Sequence, residues 1–157
     1  MAELRPIPTS RFYWEVDGLT DKMVKSVTEV KFQAKTAGHE KPIASTKDGK
    51  TLWQTTSSGF EEHPEFTVEV YLCEGDMDCY NWMKGTIPAS ELGDGKWSEN
   101  RKNGSIVAYD SGDQEILRWD FKNAWIKSYT VSDFTSDGKD LAFETYKVLC
   151  EDIKRIK

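Results

Sequence analysis

Residues 115–129 read Glu-Ile-Leu-Arg-Trp-Asp-Phe-Lys-Asn-Ala-Trp-Ile-Lys-Ser-Tyr, and apolar bulk alternates with charge along them. Leu117, Trp119, Phe121, Asn123 and Trp125 fall on one side of the repeat; Arg118, Asp120, Lys122 and Ala124 fall on the other. A period of two marks an extended strand with one buried face and one wetted face. Two tryptophans and a phenylalanine on one face need a large apolar partner, because each such side chain removes about 150–250 Å² from water. A chain built around this strand folds as a sheet with a greasy side and a polar side.

The rest of the chain supplies partners for that strand. Residues 11–16 alternate, with Phe12, Trp14 and Val16 opposite Arg11, Tyr13 and Glu15, and Asp17-Gly18 ends them as a turn. Residues 23–35 read as a longer, bent strand. Val24, Val30, Phe32 and Ala34 share one face, and Lys25, Glu29, Lys31, Gln33 and Lys35 form a polar row on the other. Such a row suits a wall facing water, including the wall of a water-filled channel. Asp48-Gly49-Lys50 is a hairpin-type turn before a short strand at 51–55. Residues 66–72 alternate cleanly, with Phe66, Val68, Val70 and Leu72 inside. Met77, Tyr80 and Met83 then recur at helical spacing, with acids before them and Lys84-Gly85 after, which predicts one short helix over 76–84. A strand at 105–109 meets the turn Ser111-Gly112-Asp113 and pairs with the 115–129 strand as a hairpin.

The last strand, 141–153, is apolar on both sides. Leu141, Phe143 and Leu149 lie on one face and Ala142, Tyr146, Val148 and Cys150 on the other, which predicts burial on both faces. A small sheet covers both faces of its last strand with difficulty, so a neighbouring subunit is a candidate cover. Trp119, Phe121, Trp125, Leu141, Phe143, Tyr146 and Val148 are the expected core and subunit-interface residues.

A length of 157 residues predicts a single domain, 1–157, with 1–10 as an N-terminal arm. No apolar run reaches the ~20 residues that span a bilayer, so no membrane anchoring is expected. The opening residues lack the apolar stretch of a secretory signal, which predicts synthesis and assembly in the cytoplasm. A net charge of −6 removes the phosphate-neutralising term behind nucleic-acid affinity, so no specific nucleic-acid binding is expected.

Catalytic groupings are hard to assemble from this sequence. Its two histidines, His39 and His63, sit in no nucleophile-base motif. Cys73 and Cys79 lack zinc-knuckle spacing, and Cys73, Cys79 and Cys150 read as inert thiols. Glu74, Asp76 and Asp78 resemble a calcium loop only superficially, since the required glycine position holds Cys79 and the closing glutamate position holds Gly85. Neither catalysis nor a metal or other cofactor is expected.

Arg118-Trp119-Asp120-Phe121-Lys122-Asn123-Ala124-Trp125, followed by Lys127-Ser128-Tyr129, closely resembles a signature of the tail tube proteins of contractile phages and phage-like contractile injection systems. In that pattern an acidic turn follows, here near Asp133, and then a last strand with Glu-Thr and a further Glu, here Glu144-Thr145 and Glu151. Where the family usually has proline, this chain has Ile126. The resemblance implies a mainly β fold, an antiparallel β-sandwich or open barrel with one short helix, whose strands join between subunits into a ring-shaped barrel. It implies a homohexameric ring, stacked rings forming an inner tube, and sheath, baseplate and tube-capping proteins as partners, with cargo passing through the lumen. Lys25, Glu29, Lys31, Gln33 and Lys35 would face that lumen, and the doubly apolar last strand would meet a neighbour. The competing expectation is a monomeric β-sandwich or barrel that binds a carbohydrate or small apolar ligand through its aromatics.

Overall fold

The computed structural model describes residues 3–19, 21–37, 43–47, 50–54, 56–60 and 63–157. In chain order these hold β1 (Phe12–Val16), β2 (Val24–Lys31), β3 (Ala34–Ala37), β4 (Ile43–Lys47), β5 (Lys50–Gln54), β6 (Thr56–Phe60) and β7 (Glu65–Tyr71). Then come α1 (Asp78–Thr86), a 3-10 turn at Ala89–Glu91, β8 (Lys102–Tyr109), β9 (Glu115–Val131), β10 (Phe143–Leu149) and β11 (Asp152–Arg155). The fold is mainly β and antiparallel. One sheet runs β1-β8-β9-β10-β7-β2, with β11 also paired to β9. Between β2 and β7, β3 pairs with β6 and β4 with β5, a nested hairpin ladder. Of the expected turn before β5, Asp48 and Gly49 lie outside the described residues, as do Thr55 and His39.

β9 makes the sheet fold over on itself. Its first part pairs with β8 on one edge and β11 on the other; residues 125–131 pair with β10. The change falls at a bulge. Gly104 lies opposite Phe121 and Lys102 opposite Ala124, so Lys122 and Asn123 together face the single residue Asn103. Asn123 adopts φ +50°, a left-handed conformation that asparagine tolerates better than most residues.

The extra residue reverses the inside-outside pattern. Phe121 points inward before the bulge (1% exposed), and Ala124 and Ile126 point inward after it (0% and 2%). Strict alternation had placed Trp125 with Trp119 and Phe121, and the structure corrects this: Trp125 is half-buried on the opposite face. The core packs Phe66 on Phe121 (ring centroids 5.0 Å apart) and Tyr146 on Tyr129 (5.3 Å), with Trp14, Val68, Val70 and Val148 around them.

Three other expectations change. The final strand is two strands, β10 and β11, broken at Cys150 and Glu151. Tyr146, Val148 and Cys150 are covered within the subunit, whereas Leu141 is 73% exposed ahead of β10. The long 23–35 strand divides into β2 and β3. Glu29 takes φ +56° and the register shifts between Thr28 and Lys31, so the expected split of faces fails and Val30 and Phe32 are exposed. The helix starts later than expected. It buries Cys79, Trp82, Met83 and Thr86, an i, i+3, i+4, i+7 stripe, while Met77 lies outside it and is exposed.

Gly104 is where β1, β8 and β9 approach most tightly. A Cβ there would stand 2.2 Å from the Glu15 carbonyl oxygen and 2.6 Å from Phe121 Cζ. Gly104→Ala is therefore expected to destabilise the fold by about 1–3 kcal/mol through overpacking. A melting temperature equal to that of the parent protein would show that the strands separate more freely than this packing implies.

Candidate assembly interface

The signature around residues 118–125 is a set of fixings for the β9 corner. Asn123 donates its backbone N–H to Asn103 Oδ1 (2.9 Å) and its Nδ2 to Glu151 Oε2 (2.7 Å). Glu151 Oε1 accepts from Arg101 Nη1 (2.6 Å), and the Glu151 N–H donates to the Lys122 carbonyl (3.1 Å). The bulge in β9 and the break between β10 and β11 are thus tied to each other. Upstream, Arg118 donates to Asp120 Oδ1 (2.8 Å) and to Ser105 Oγ (3.0 Å), and the Ser105 hydroxyl donates to the same Asp120 oxygen (2.7 Å). The hydrogen bond from Ser105, then that from Arg118, holds the Asp120 carboxyl below the usual carboxylate range. Ala124 has no exposed surface, so a larger side chain has nowhere to go.

That corner leaves strand edges open. Among the described residues, β2 pairs along the main sheet only with β7, and residues 125–131 of β9 pair only with β10. The four-stranded portion β9-β10-β7-β2 therefore has β9 and β2 as its outer strands, each with one main-sheet neighbour among the described residues. Beside the β9 edge lies a hollow of about 460 Å³ lined by Met83, Ile87, Pro88, Glu91, Trp125 and Tyr129. Trp125 also borders a second hollow, about 320 Å³, with His63, Glu65, Lys127 and Leu149. Its ring meets Trp97 edge-on at 6.3 Å, and the Arg101 guanidinium covers Trp97 at 4.6 Å. A groove of about 490 Å³ separates β2 from the β1-β8-β9 wall, and Phe12, Val27, Val30, Leu117 and Trp119 line it.

The outward face of β9-β10-β7-β2 is polar in its two middle rows, with Phe143 and Tyr71 beyond them at one end and Leu149 and Trp125 at the other. Ser26, Glu69, Thr145 and Thr130 align in one row, and Thr28, Thr67, Lys147 and Ser128 in the next. Lys25 sits at its margin, 3.6 Å from Glu69 and 3.6 Å above the Phe143 ring. Of the other residues assigned to a polar wall, Glu29 and Lys31 occupy the far end of β2, and Gln33 and Lys35 lie beyond it. Reading 23–35 alone missed Thr67, Lys147 and Ser128. The signal was available in the alternation of Thr67 and Lys147 with buried Val68 and Tyr146.

Elsewhere the titratable groups serve the structure. Lys22 is nearly buried and donates to Asp76 Oδ1 (2.7 Å) and Asp78 Oδ2 (2.6 Å), joining the segment after β1 to the start of α1. Burial opposes the Lys22 charge, but the two carboxylates outweigh it and hold the lysine above its ordinary value. Lys22 in turn keeps Asp76 below the usual carboxylate range. Glu144 accepts the hydroxyls of both Tyr129 (2.6 Å) and Tyr146. Burial, then this contact, pushes Tyr129 up to about 12, and Tyr146 rises for the same reasons. Burial also pushes the Cys79 and Cys150 thiols to about 12, suppressing their reactive thiolates. His63 is exposed on a loop, and no cluster of three potential metal ligands occurs among the described residues.

The model of the T4-like virus tail tube protein gp19 family matches residues 8–154. The chain belongs to this family. It is a structural tube subunit and part of a phage tail or tail-like particle. No curated protein sequence matches it. The fold is shared with solved structures at low identity. A chain in the anti-feeding prophage cap, the tube-terminating cap, superposes with TM-score 0.71 at 18% identity, covering 99% of this chain and 93% of that one. A chain in the extended sheath-tube complex of the extracellular contractile injection system PVC gives 0.66 at 18%, covering 96% and 90%. Hcp1 from Flavobacterium johnsoniae gives 0.53 at 16%, covering 93% and 94%.

Two outcomes test the local chemistry of this tail tube protein. Asn123→Ala removes a hydrogen-bonding partner of Glu151 and places alanine at positive φ, so a loss of about 1–3 kcal/mol is expected in chemical denaturation. An unchanged midpoint would mean that the corner is held without it. The Lys22–Asp76 contact has a pH signature. The depressed Asp76 value stabilises the fold above the unfolded carboxyl value of about 3.9, and that contribution is lost as pH falls through the folded value. The raised Lys22 value leaves its own contribution intact until the alkaline range. The melting-temperature gap between the parent and Lys22→Met should therefore narrow below about pH 4; a constant gap would refute the assignment.

Proposed function

We propose that six copies of this chain close into a ring and that rings stack into the hollow inner tube of a contractile phage tail or injection system. The observation that carries this reading is that the outer strands of β9-β10-β7-β2 each have a single main-sheet neighbour among the described residues. Exposed edges are aggregation hazards that a closed ring removes. Ring closure would also turn the Ser/Thr-rich outward face into a continuous channel wall. On this reading Lys25 lies at the lumen-facing surface, while Glu29, Lys31, Gln33 and Lys35 stand at the seam or beyond it.

The expected partners are further copies of the chain, a surrounding sheath, a baseplate and a capping protein. The sheath-tube, baseplate and terminating-cap assemblies in which structures of the same fold occur support this set. The tube's role is mechanical, conducting cargo through a target envelope without chemistry, and its acidic balance keeps nucleic acid from adhering. Among the described residues no helix is long and apolar enough to cross a membrane.

Size-exclusion chromatography followed by negative-stain microscopy tests the assembly. Rings or tubes are expected; a single 18.0 kDa species at working concentration, with a ligand in the groove beside Trp119, would overturn it. Within the subunit, Tyr146→Asp should abolish folding, since Tyr146 is fully buried against Glu144. Phe143→Asp, on the half-buried outward face, should leave the circular dichroism spectrum intact.

A further inference from the structure

We infer that Asn103 is a modification site: it deamidates through a cyclic imide with Gly104 whenever β8 lets go of its neighbours, and the closed corner suppresses the reaction. This rests on the packing within one subunit and is independent of ring closure.

The sequence sets up the chemistry. Asn81 precedes Trp82, Asn100 precedes Arg101 and Asn123 precedes Ala124, whereas Asn103 alone precedes a glycine. Gly104 has no Cβ to shield its backbone nitrogen. In an open chain that nitrogen attacks the Asn103 side-chain carbonyl carbon. The N–Cγ bond forms, the Cγ–Nδ2 bond breaks, and ammonia leaves with the glycine's proton. Water then opens the imide at one carbonyl or the other, giving aspartate or iso-aspartate. Both residues are set by the fold. A Cβ at position 104 would stand 2.2 Å from the Glu15 carbonyl oxygen, and Asn103 Oδ1 accepts the Asn123 N–H at 2.9 Å. The corner thus selects the very pair that is labile once it opens.

Three contacts hold the reaction off in the folded chain. Asn103 lies within β8, where ψ is near the extended value of about +135° and keeps the next nitrogen away from the side chain. Its carbonyl accepts the Asp17 N–H at 3.0 Å. That carbonyl shares a peptide plane with the Gly104 nitrogen, so the rotation that would aim the nitrogen at Cγ tears this bond. The side chain is turned to β9 by Asn123, and Gly104 is wedged between Glu15 and Phe121, with no room for an imide ring. Water is not limiting, since Asn103 is exposed.

The two products differ in consequence. Aspartate keeps the acceptor oxygen, although its carboxylate then joins that of Glu151 around Asn123. Iso-aspartate inserts one carbon into the main chain ahead of Ser105, Ile106 and Val107. Those residues then lose register against Glu15, Trp14 and Tyr13 on β1 and against Asp120, Trp119 and Arg118 on β9. Aspartate chains therefore refold and iso-aspartate chains do not.

The test incubates the parent protein and Asn123→Ala at mildly alkaline pH, in buffer and in concentrated urea, and maps peptides by mass spectrometry. Loss of ammonia and gain of water reads as one added mass unit, and iso-aspartyl methyltransferase labels the iso form. In urea both proteins should convert at Asn103 at one rate, ahead of every other asparagine. In buffer the parent should convert at least tenfold more slowly, and Asn123→Ala should raise that rate at least fivefold by opening the corner. Equal rates in buffer and urea, or faster conversion at Asn81 or Asn100, would overturn the proposal. Graded urea below the unfolding transition gives a second readout that needs no variant: a rate that stays flat would place the protection elsewhere and reject it. After urea is removed, iso-aspartate should be confined to the fraction that fails to refold; its presence in equal share among refolded subunits would refute the register argument.

Discussion

The structure depends on a single tight contact between two irregularities, the bulge in β9 and the break between β10 and β11. Asn123 and Glu151 meet at 2.7 Å across that point, and Asn103 and Arg101 complete the set. Without the bulge, β9 would keep one face inward throughout its length and could not serve both parts of the sheet. With it, Phe121 faces the core from one part while Ala124 and Ile126 face it from the other. The left-handed backbone at Asn123 costs energy, and the hydrogen bonds on both sides of its side chain and amide offset that cost.

Function as a tube subunit follows from what this corner leaves undone. β8 stops pairing with β9 at Ala124, so the rest of β9 presents a bare edge beside α1. At the other end of the same four strands, β2 has β7 as its one main-sheet neighbour among the described residues. A ring closed through both margins would leave neither exposed. The polar outward face needs no apolar cover: its hydroxyls can bond to water, and Lys25–Glu69 and Lys127–Glu65 lie within ion-pair distance. Exposed pairs of this kind add little stability but keep a wall free of large uncompensated charge.

Much of the subunit was legible in its residues because local patterning governs each strand. Alternation at 12–16, 66–71 and 115–121 gave the right inward faces, since a regular strand has no choice but period two. The Arg118–Trp125 stretch was readable as a family signature, and its side chains are those that fix the corner. The helix was found but rotated. Met77, Tyr80 and Met83 offered one stripe, whereas packing under Tyr129 and beside Asn100 selected Cys79, Trp82, Met83 and Thr86.

What the sequence alone determined was the presence of amphipathic strands, their core residues as far as Phe121 and an acidic balance of charge. The tertiary structure alone decided the side on which Trp125 falls, the division of the last strand, the rows of the polar face, and which two strands, β9 and β2, lie at the margins of the four-stranded portion. The reason is physical. Periodicity is a property of one strand, whereas a bulge is a mismatch between two strands and exists only once their register is set. Asn123 has an ordinary place in the linear pattern, and it becomes a corner only when Asn103 and Glu151 arrive from elsewhere in the chain.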